Sequence, residues 1–163
     1  MKKNILVPFD GSQNAGEALK MAITLAKALN EKIILLNVQP QFNHANVKRY
    51  FRENEIEAYQ KDLFAETIAS AEELLKESGI GYETRLRLGD PKVQICEEAV
   101  LCEECEQDSA KDGVSMIVMG SRGVNPLLSG LMGSVSYYVV NAGICPVLIV
   151  PMEEIPETKR DYD

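Results

Sequence analysis

The chain has 163 residues, of which 45% are apolar and 26% charged, a composition that predicts a globular domain with one hydrophobic core. Its net charge of −8 argues against nucleic acid or an anionic membrane surface as the main partner. Because no apolar run approaches the roughly 18–20 residues needed to span a bilayer, we expect a cytoplasmic protein that does not cross a membrane.

The four cysteines give little support for metal or redox chemistry. Cys102 and Cys105 form a CxxC pair, but a second pair is missing and the single histidine, His44, is distant in sequence. A four-ligand zinc site would therefore also need Cys96 and Cys145 to converge. We expect reduced thiols with structural or incidental roles, and no metal site.

The first elements predict a strand, a helix and a second strand. Residues 4–7 form an apolar run that Pro8 ends, and Asp10, Gly11 and Ser12 follow as a turn with Ser12 as N-cap. A helix is predicted over residues 14–30 and a strand over residues 32–38. The apolar residues that recur at helical spacing and predict its inward face are Ala18, Met21, Ala22, Leu25, Ala26 and Leu29.

The middle of the chain repeats this alternation. After a polar, irregular stretch at residues 41–52, a long helix is predicted to run to Ser78, with Gly79 ending it. A strand is predicted over residues 82–88, followed by a turn in which Asp90 caps a third helix and Pro91 is its first residue. The residues predicted to face inward from the long helix are Ile56, Tyr59, Phe64, Ala71, Leu74 and Leu75.

The last third predicts two further strands around a glycine-rich loop. The third helix continues through Ile95, Ala99 and Val100, and its end is not defined by the acidic residues 103–113. Strands are predicted over 115–119 and 147–150, with a helix over 134–140 between them, and a polar tail over 153–163. We therefore predict one α/β domain over residues 1–152, a three-layer sandwich around a five-stranded parallel sheet.

The glycine-rich loop has the spacing G-x2-G-x9-G-S, formed by Gly120, Gly123, Gly133 and Ser134. A strand that leads through glycines to a helix start can present backbone amides to an anion, most often phosphate. The loop is neither a Walker loop nor a GxGxxG fingerprint. A glycine-rich connection without a ligand is the alternative. The proposed site gains support because the loop and the Asp10 turn both follow strands whose carboxyl ends are expected to share one crevice.

The chain resembles the universal stress protein family. The matching segments cover the opening strand, the mid-chain turn, the glycine loop and the closing strand, at residues 5–12, 89–91, 118–123 and 145–150. The glycine spacing also resembles the nucleotide-binding signature of that family. The resemblance implies strand order 3-2-1-4-5 in a Rossmann-like, adenine nucleotide alpha hydrolase-like fold, with ATP as ligand, with or without Mg²⁺.

The same resemblance implies roles for individual residues. Asp10 would bond the ribose or base, and the backbone of Val38 would meet adenine. The full set of implied nucleotide-binding residues is Pro8, Asp10, Val38, Met119, Gly120, Arg122, Gly123, Gly133, Ser134 and Val135. Alternatives remain: Asp10 could bond local amides, Ser134 could be only an N-cap, and Arg122 could pair with phosphate or an acidic neighbour.

These observations favour an ATP-binding regulator in stress response over two alternatives, a slow ATP-hydrolysing enzyme and a nucleotide-free dimeric scaffold. Asp10 is the only obvious carboxylate of the predicted crevice, and His44 lies in an irregular segment, so no catalytic residue is assigned. The family also implies a homodimer through the edge strand Val147–Val150. The sequence does not name a downstream partner.

Overall fold

A parallel β-sheet forms the centre of the protein in a computed structural model, which describes residues 4–42, 50–101, 113–122 and 132–151. The strands are β1 Asn4–Pro8, β2 Lys32–Gln39, β3 Tyr82–Leu88, β4 Val114–Gly120 and β5 Val147–Val150. The helices are α1 Gln13–Leu29, α2 Glu53–Ser78, α3 Pro91–Leu101 and α4 Ser134–Ala142. The strand order is β3-β2-β1-β4-β5, with every neighbouring pair parallel, as predicted.

Helices cover both faces of the sheet and produce two hydrophobic cores. On one face, α1 and α2 pack on alternate strand residues such as Ile5 and Leu35. On the other face, α3 and α4 pack on the intervening residues, among them Leu6 and Leu36. Strands buried on both faces need apolar residues at successive positions, which explains their unbroken apolar runs. Each fully buried leucine or isoleucine contributes roughly 1.5–3 kcal/mol.

The predicted helix boundaries are confirmed by their capping contacts. Ser12 is the N-cap of α1, and its hydroxyl accepts a hydrogen bond from the Ala15 amide at 3.1 Å. Asp90 accepts a hydrogen bond from the Lys92 amide at 2.9 Å, and Pro91 begins α3. Gly79 ends α2 in the left-handed conformation, with φ of 72°.

Three residues predicted to face inward are exposed instead. Met21 lies beside the buried stripe of α1, and Leu29 is the last residue of that helix, so neither reaches the sheet. Tyr59 is 57% exposed and packs on Phe42, with ring centroids 6.4 Å apart. Its neighbour Gln60 takes the buried position instead, at 5% exposure, and the Gln60 carbonyl accepts a hydrogen bond from Gln39 of β2.

A charged cluster joins the edge strand β3 to α3. The side chain of Glu98 is only 6% exposed and forms ion pairs with Arg85 and, at 3.0 Å, with Nε of Arg87. Glu97 is 53% exposed and lies 3.6 Å from Arg87. Arg85 also donates to Glu83, and this hydrogen bond lowers the pKa of the Glu83 carboxyl. The buried carboxylate is therefore held by two guanidinium groups.

Some predictions concern residues outside the described ranges. They include His44, Cys102, Cys105, Gly123, the boundary at residue 152 and the tail 153–163. These stay predictions. Of the helices that the structure describes, none is long and apolar enough to cross a membrane.

Candidate functional site

A crevice begins where β1 and β4 stop pairing at the carboxyl edge of the sheet. The register between β1 and β2 continues to Pro8 and Leu36, but the register between β1 and β4 ends at Leu6 and Ile117. Alternate residues of β1 direct their amides toward β4, as the Asn4 amide does when it donates to the Gly113 carbonyl. Pro8 is the alternate residue after Leu6 and has no N–H, so this series of hydrogen bonds cannot continue. The strand order reverses at this point, which is where open α/β sheets bind ligands.

The turn that follows β1 places Asp10 at the rim of this crevice. Asp10 is exposed, and its Oδ1 accepts a hydrogen bond from the Ser12 amide at 3.0 Å. One carboxylate oxygen of Asp10 therefore bonds a local amide, as the alternative interpretation of this residue expects. Behind the turn, the carbonyl of Phe9 accepts a hydrogen bond from the buried Asn37 at 2.8 Å, which fixes the end of β1 against β2.

Ser121 is the residue on which the glycine loop is fixed. Its amide donates to the Val150 carbonyl at 2.9 Å, which ties the end of β4 to β5. Its carbonyl accepts from the Gly133 amide at 2.7 Å and from the Ser136 hydroxyl at 2.9 Å. Its hydroxyl accepts from Nδ2 of Asn14 at 3.3 Å. One residue thus connects the ends of β4 and β5 to the starts of α1 and α4.

Asn14 joins the loop to the helix that follows the Asp10 turn. Its side chain is buried in the first turn of α1, at 1% exposure, and Nδ2 also donates to the Arg122 carbonyl at 3.1 Å. Its Oδ1 is buried and accepts no hydrogen bond from the part of the chain that the structure describes. The two segments that the sequence placed at one crevice are therefore in direct contact.

The glycines at 120 and 133 are required by contacts within the protein itself. A β-carbon on Gly120 would lie 2.8 Å from Cγ and Nδ2 of Asn14 and 3.2 Å from the Arg122 carbonyl. A β-carbon on Gly133 would lie 3.2 Å from the Ser121 carbonyl. The close approach of α1 accounts for glycine at position 120, and the close approach of Ser121 to the start of α4 favours glycine at position 133.

The N-cap of α4 offers no side-chain acceptor to the first turn of that helix. Gly133 is the N-cap and has no side chain with which to bond the amides of that turn, in contrast to Ser12 at the start of α1. Ser134 and Val135 are the first two helical residues, so Ser134 is not the N-cap. Backbone donors at such a start attract anions, and the helix dipole adds to the attraction.

Three of the predicted site residues have side chains in or against the core. Met119 is 5% exposed, and Val38 and Val135 are partly buried against the same core as Met119. Only their backbone groups are therefore suited to meet a ligand at this edge.

Sequence reasoning missed Asn14, Ser121 and Ser136, which organise the site. Asn14 is separated from Ser121 by 107 positions, and no sequence motif links them. Ser121 lies inside the glycine motif, so its position could have drawn attention to it. Ser136 is buried and one helical turn after the N-cap, but a serine at that place has no distinctive signal.

Comparison with known proteins identifies the family. The profile described as the Universal stress protein family matches residues 1–151. The chain belongs to the universal stress protein family. A Staphylococcus haemolyticus relative that carries the universal stress protein name is 30% identical over 156 residues, covering 95% of this chain and 88% of the relative.

Solved structures of the family have the same fold. The structure of hypothetical protein MJ0577 has a TM-score of 0.76 and 27% identity, covering 94% of this chain and 99% of that one. A universal stress protein of Arabidopsis thaliana, solved with AMP bound, has a TM-score of 0.63 and 21% identity, covering 98% and 97%. In this universal stress protein, the described residues contain no group of three or more His, Cys, Asp or Glu that could hold a metal ion.

Proposed function

We propose that this universal stress protein binds an adenine nucleotide, ATP, in the crevice between β1 and β4 and acts as a nucleotide-responsive regulator. The observation that carries the proposal is the first turn of α4, which receives no side-chain acceptor from its N-cap Gly133 and which Ser121 holds beside the ends of β4 and β5. A helix start at the switch point of a parallel sheet is a phosphate-binding arrangement.

The phosphates would bond the backbone rather than charged side chains. The net charge of −8 disfavours a polyanion over the whole surface, but a local set of amides attracts phosphate independently of that balance. Ser134 and Val135 would supply these amides, and Arg122 a local cation. Gly123 is assigned to the same loop by the resemblance alone.

The nucleoside would lie toward β1 and β2. Asp10 is exposed at the rim and has a second carboxylate oxygen suited to a ribose hydroxyl or a base amino group. The backbones of Pro8 and Val38 are close in the sheet, since Pro8 registers with Leu36 two residues before Val38. The AMP found in the Arabidopsis thaliana protein of the same fold supports an adenine nucleotide as the ligand class.

The geometry favours binding over efficient catalysis. A base that activates water would need to face the phosphates, whereas Asp10 is assigned to the nucleoside side of the crevice. Mg²⁺ would be carried in with ATP rather than held by a protein cage. Slow hydrolysis is the alternative that product analysis in the binding experiment would detect.

We also propose a homodimer through β5 and a cytoplasmic location. Leu148 is 38% exposed on this edge strand, and Tyr137 and Tyr138 of the adjacent α4 are 63% and 46% exposed. Pairing of two β5 edges would satisfy unpaired backbone groups and cover these side chains.

The reduced thiol of Cys96 fits a reducing compartment.

Calorimetry with ATP, AMP, adenosine and GTP tests the nucleotide proposal. We expect ATP to bind and GTP to bind more weakly. Gly133→Ala should lower ATP affinity by about tenfold, because the new methyl group presses on the Ser121 carbonyl, at a cost typical of overpacking.

Gly81→Ala is the matched control. Its β-carbon would also have its nearest contact at 3.2 Å, but against the flexible side chain of Lys32. Lys32 begins β2, so it lies at the amino ends of the strands, away from the crevice. ATP affinity should stay unchanged in this variant. If the wild-type protein binds no adenine nucleotide at millimolar concentration, the proposal is wrong and the scaffold alternative is favoured.

A further inference from the structure

The side chain of Asn14 has an unusual combination of burial and incomplete hydrogen bonding. It is 1% exposed, its Nδ2 donates to Ser121 and Arg122, and its Oδ1 has no donor in the part of the chain that the structure describes. A buried acceptor without a partner is a net cost to stability. An apolar residue of similar size would avoid that cost but would lose both donated hydrogen bonds, so the reason for asparagine lies in those two bonds.

The two bonds that Asn14 donates both end on the glycine loop. One acceptor is the Ser121 hydroxyl and the other is the Arg122 carbonyl, at the point where the chain leaves β4. The same Ser121 accepts the Gly133 amide through its carbonyl. A shift of Asn14 would therefore move the start of α4 by way of Ser121, which contacts both.

We propose that Asn14 is a positioning residue that presets the glycine loop for the phosphates of the nucleotide. The inference rests on the proposed nucleotide function and adds to it a residue that neither the glycine motif nor the family resemblance includes. Asn14 acts through Ser121 and Arg122 and does not itself bind the ligand. A loop fixed before binding does not have to be ordered by the ligand, and this increases affinity.

The proposal predicts a selective effect on phosphate binding. The loop is assigned chiefly to the phosphates, so the affinity of a ligand without phosphates should depend on Asn14 far less than that of ATP. ATP uses the loop, so its affinity should fall when the hydrogen bonds from Asn14 to Ser121 and Arg122 are removed. A change that merely damaged the fold would instead lower the affinity for both ligands, or lower the folded fraction.

Asn14→Asp is the most informative variant because it preserves shape. It keeps the contact with Gly120 but replaces the donor with an oxygen that faces the Arg122 carbonyl, and it adds negative charge near the phosphates. We expect ATP affinity to fall by about tenfold or more, since the bond to the Arg122 carbonyl is lost and charge repulsion is added, while the Ser121 hydroxyl can turn to donate to the new carboxylate. Adenosine affinity should stay within about twofold, because the groups that bind the nucleoside are unchanged.

Asn14→Ala removes the same side-chain donor without adding charge, and Ser78→Ala is the control. Ser78 donates to the Leu75 carbonyl and accepts from the Ile80 amide at the end of α2, at the edge of the sheet opposite the crevice. Asn14→Ala should lower ATP affinity by about three- to tenfold and leave adenosine affinity unchanged, as expected for the loss of two neutral hydrogen bonds. Ser78→Ala should change neither affinity, although it also removes two hydrogen bonds.

Amide hydrogen exchange in the nucleotide-free protein provides an independent measurement. The Gly133 amide should exchange faster in Asn14→Ala and Asn14→Asp than in the wild type, because its acceptor on Ser121 is less firmly held. Exchange in β2 should be unchanged.

The possible outcomes separate the two proposals. If the wild type binds neither ATP nor adenosine, the proposed function fails. If the wild type binds ATP and both Asn14 variants, shown to be folded by circular dichroism, bind ATP equally well, the positioning role is wrong and the proposed function stands. Equal losses for ATP and adenosine would likewise overturn the positioning role, because they would indicate general damage to the site.

Discussion

Asn14 and Gly120 are in direct contact, such that a β-carbon on Gly120 would lie 2.8 Å from both Cγ and Nδ2 of Asn14. The glycine therefore makes room for a buried side chain from another part of the chain. This differs from the usual argument for glycine in a phosphate loop, in which the missing β-carbon makes room for the ligand. The contact leads to a stability prediction that does not depend on any ligand.

Gly120→Ala should destabilise the protein by about 1–3 kcal/mol, the range for an extra methyl group in a packed interior. The same substitution should cost less in an Asn14→Ala background, because Cγ and Nδ2 of Asn14 are then absent. Some cost should remain, since the Arg122 carbonyl would lie 3.2 Å from the new methyl group. Urea denaturation of the wild type, both single variants and the double variant measures the coupling. Additive free energies would show that the two positions do not compete for space.

Glu98→Gln should be far more destabilising than the same change at its neighbour Glu97. Glu98 is buried between Arg85 and Arg87, so neutralising it leaves two guanidinium groups with reduced compensation, at a cost of about 1–3 kcal/mol. Glu97 is 53% exposed, and its loss should cost less than about 0.5 kcal/mol. Thermal or urea unfolding at neutral pH distinguishes the two. Equal effects would mean that the buried carboxylate does not depend on its arginine partners.

Leu148→Lys should convert the proposed dimer to a monomer. A lysine on β5 would place charge in the pairing edge, which is how natural edge strands avoid association. Leu88→Lys is a matched control, because Leu88 is also 38% exposed and lies on β3, the opposite edge strand. Sedimentation velocity at micromolar concentration should show a dimer for the wild type and Leu88→Lys. A wild-type monomer, or a dimer that is lost only in Leu88→Lys, would contradict pairing through β5.

The thiol of Cys96 should make stability decrease at alkaline pH. Burial raises the pKa of this thiol in the folded protein, because the thiolate is poorly solvated there. A folded-state pKa above the unfolded one contributes stability that is fully present below the unfolded-state pKa and is lost as pH rises through the folded-state pKa. Cys96→Ser should therefore lose less stability than the wild type between neutral pH and about pH 10, above the ordinary thiol pKa of about 8.5. Parallel pH profiles for the two proteins would show that the thiol does not contribute.

The fold could be predicted from the sequence because each element carries a local signal. Apolar runs of strand length alternate with helical periodicity, and Ser12, Gly79 and Asp90 mark helix ends through contacts within a few residues. Helical spacing does not fix which of two neighbouring residues faces the sheet, or how far a helix reaches along it. For this reason the prediction that Leu29 and Tyr59 face inward is wrong: both are exposed, while Gln60, next to Tyr59, is buried.

The site was only half predictable for a related reason. The Asp10 turn follows β1 and Gly120 ends β4, so topology is enough to bring them to one edge of the sheet. The contact between Asn14 and Ser121 depends on how α1 packs against the end of β4, across 107 positions of sequence. That packing is a tertiary property, and neither spacing nor residue type indicates it.

The hydrogen bond from the Gly133 amide to the Ser121 carbonyl, 2.7 Å long, has a further consequence for how this chain can change during evolution. It brings the chain back to the place from which it departed, so both ends of the connection are fixed by one backbone hydrogen bond. Doubling the length of such a stretch would cost only about 0.6 kcal/mol in closure entropy. Relatives could therefore gain, lose or exchange residues there while the sheet stays intact, and ligand choice could diverge without the fold being rebuilt.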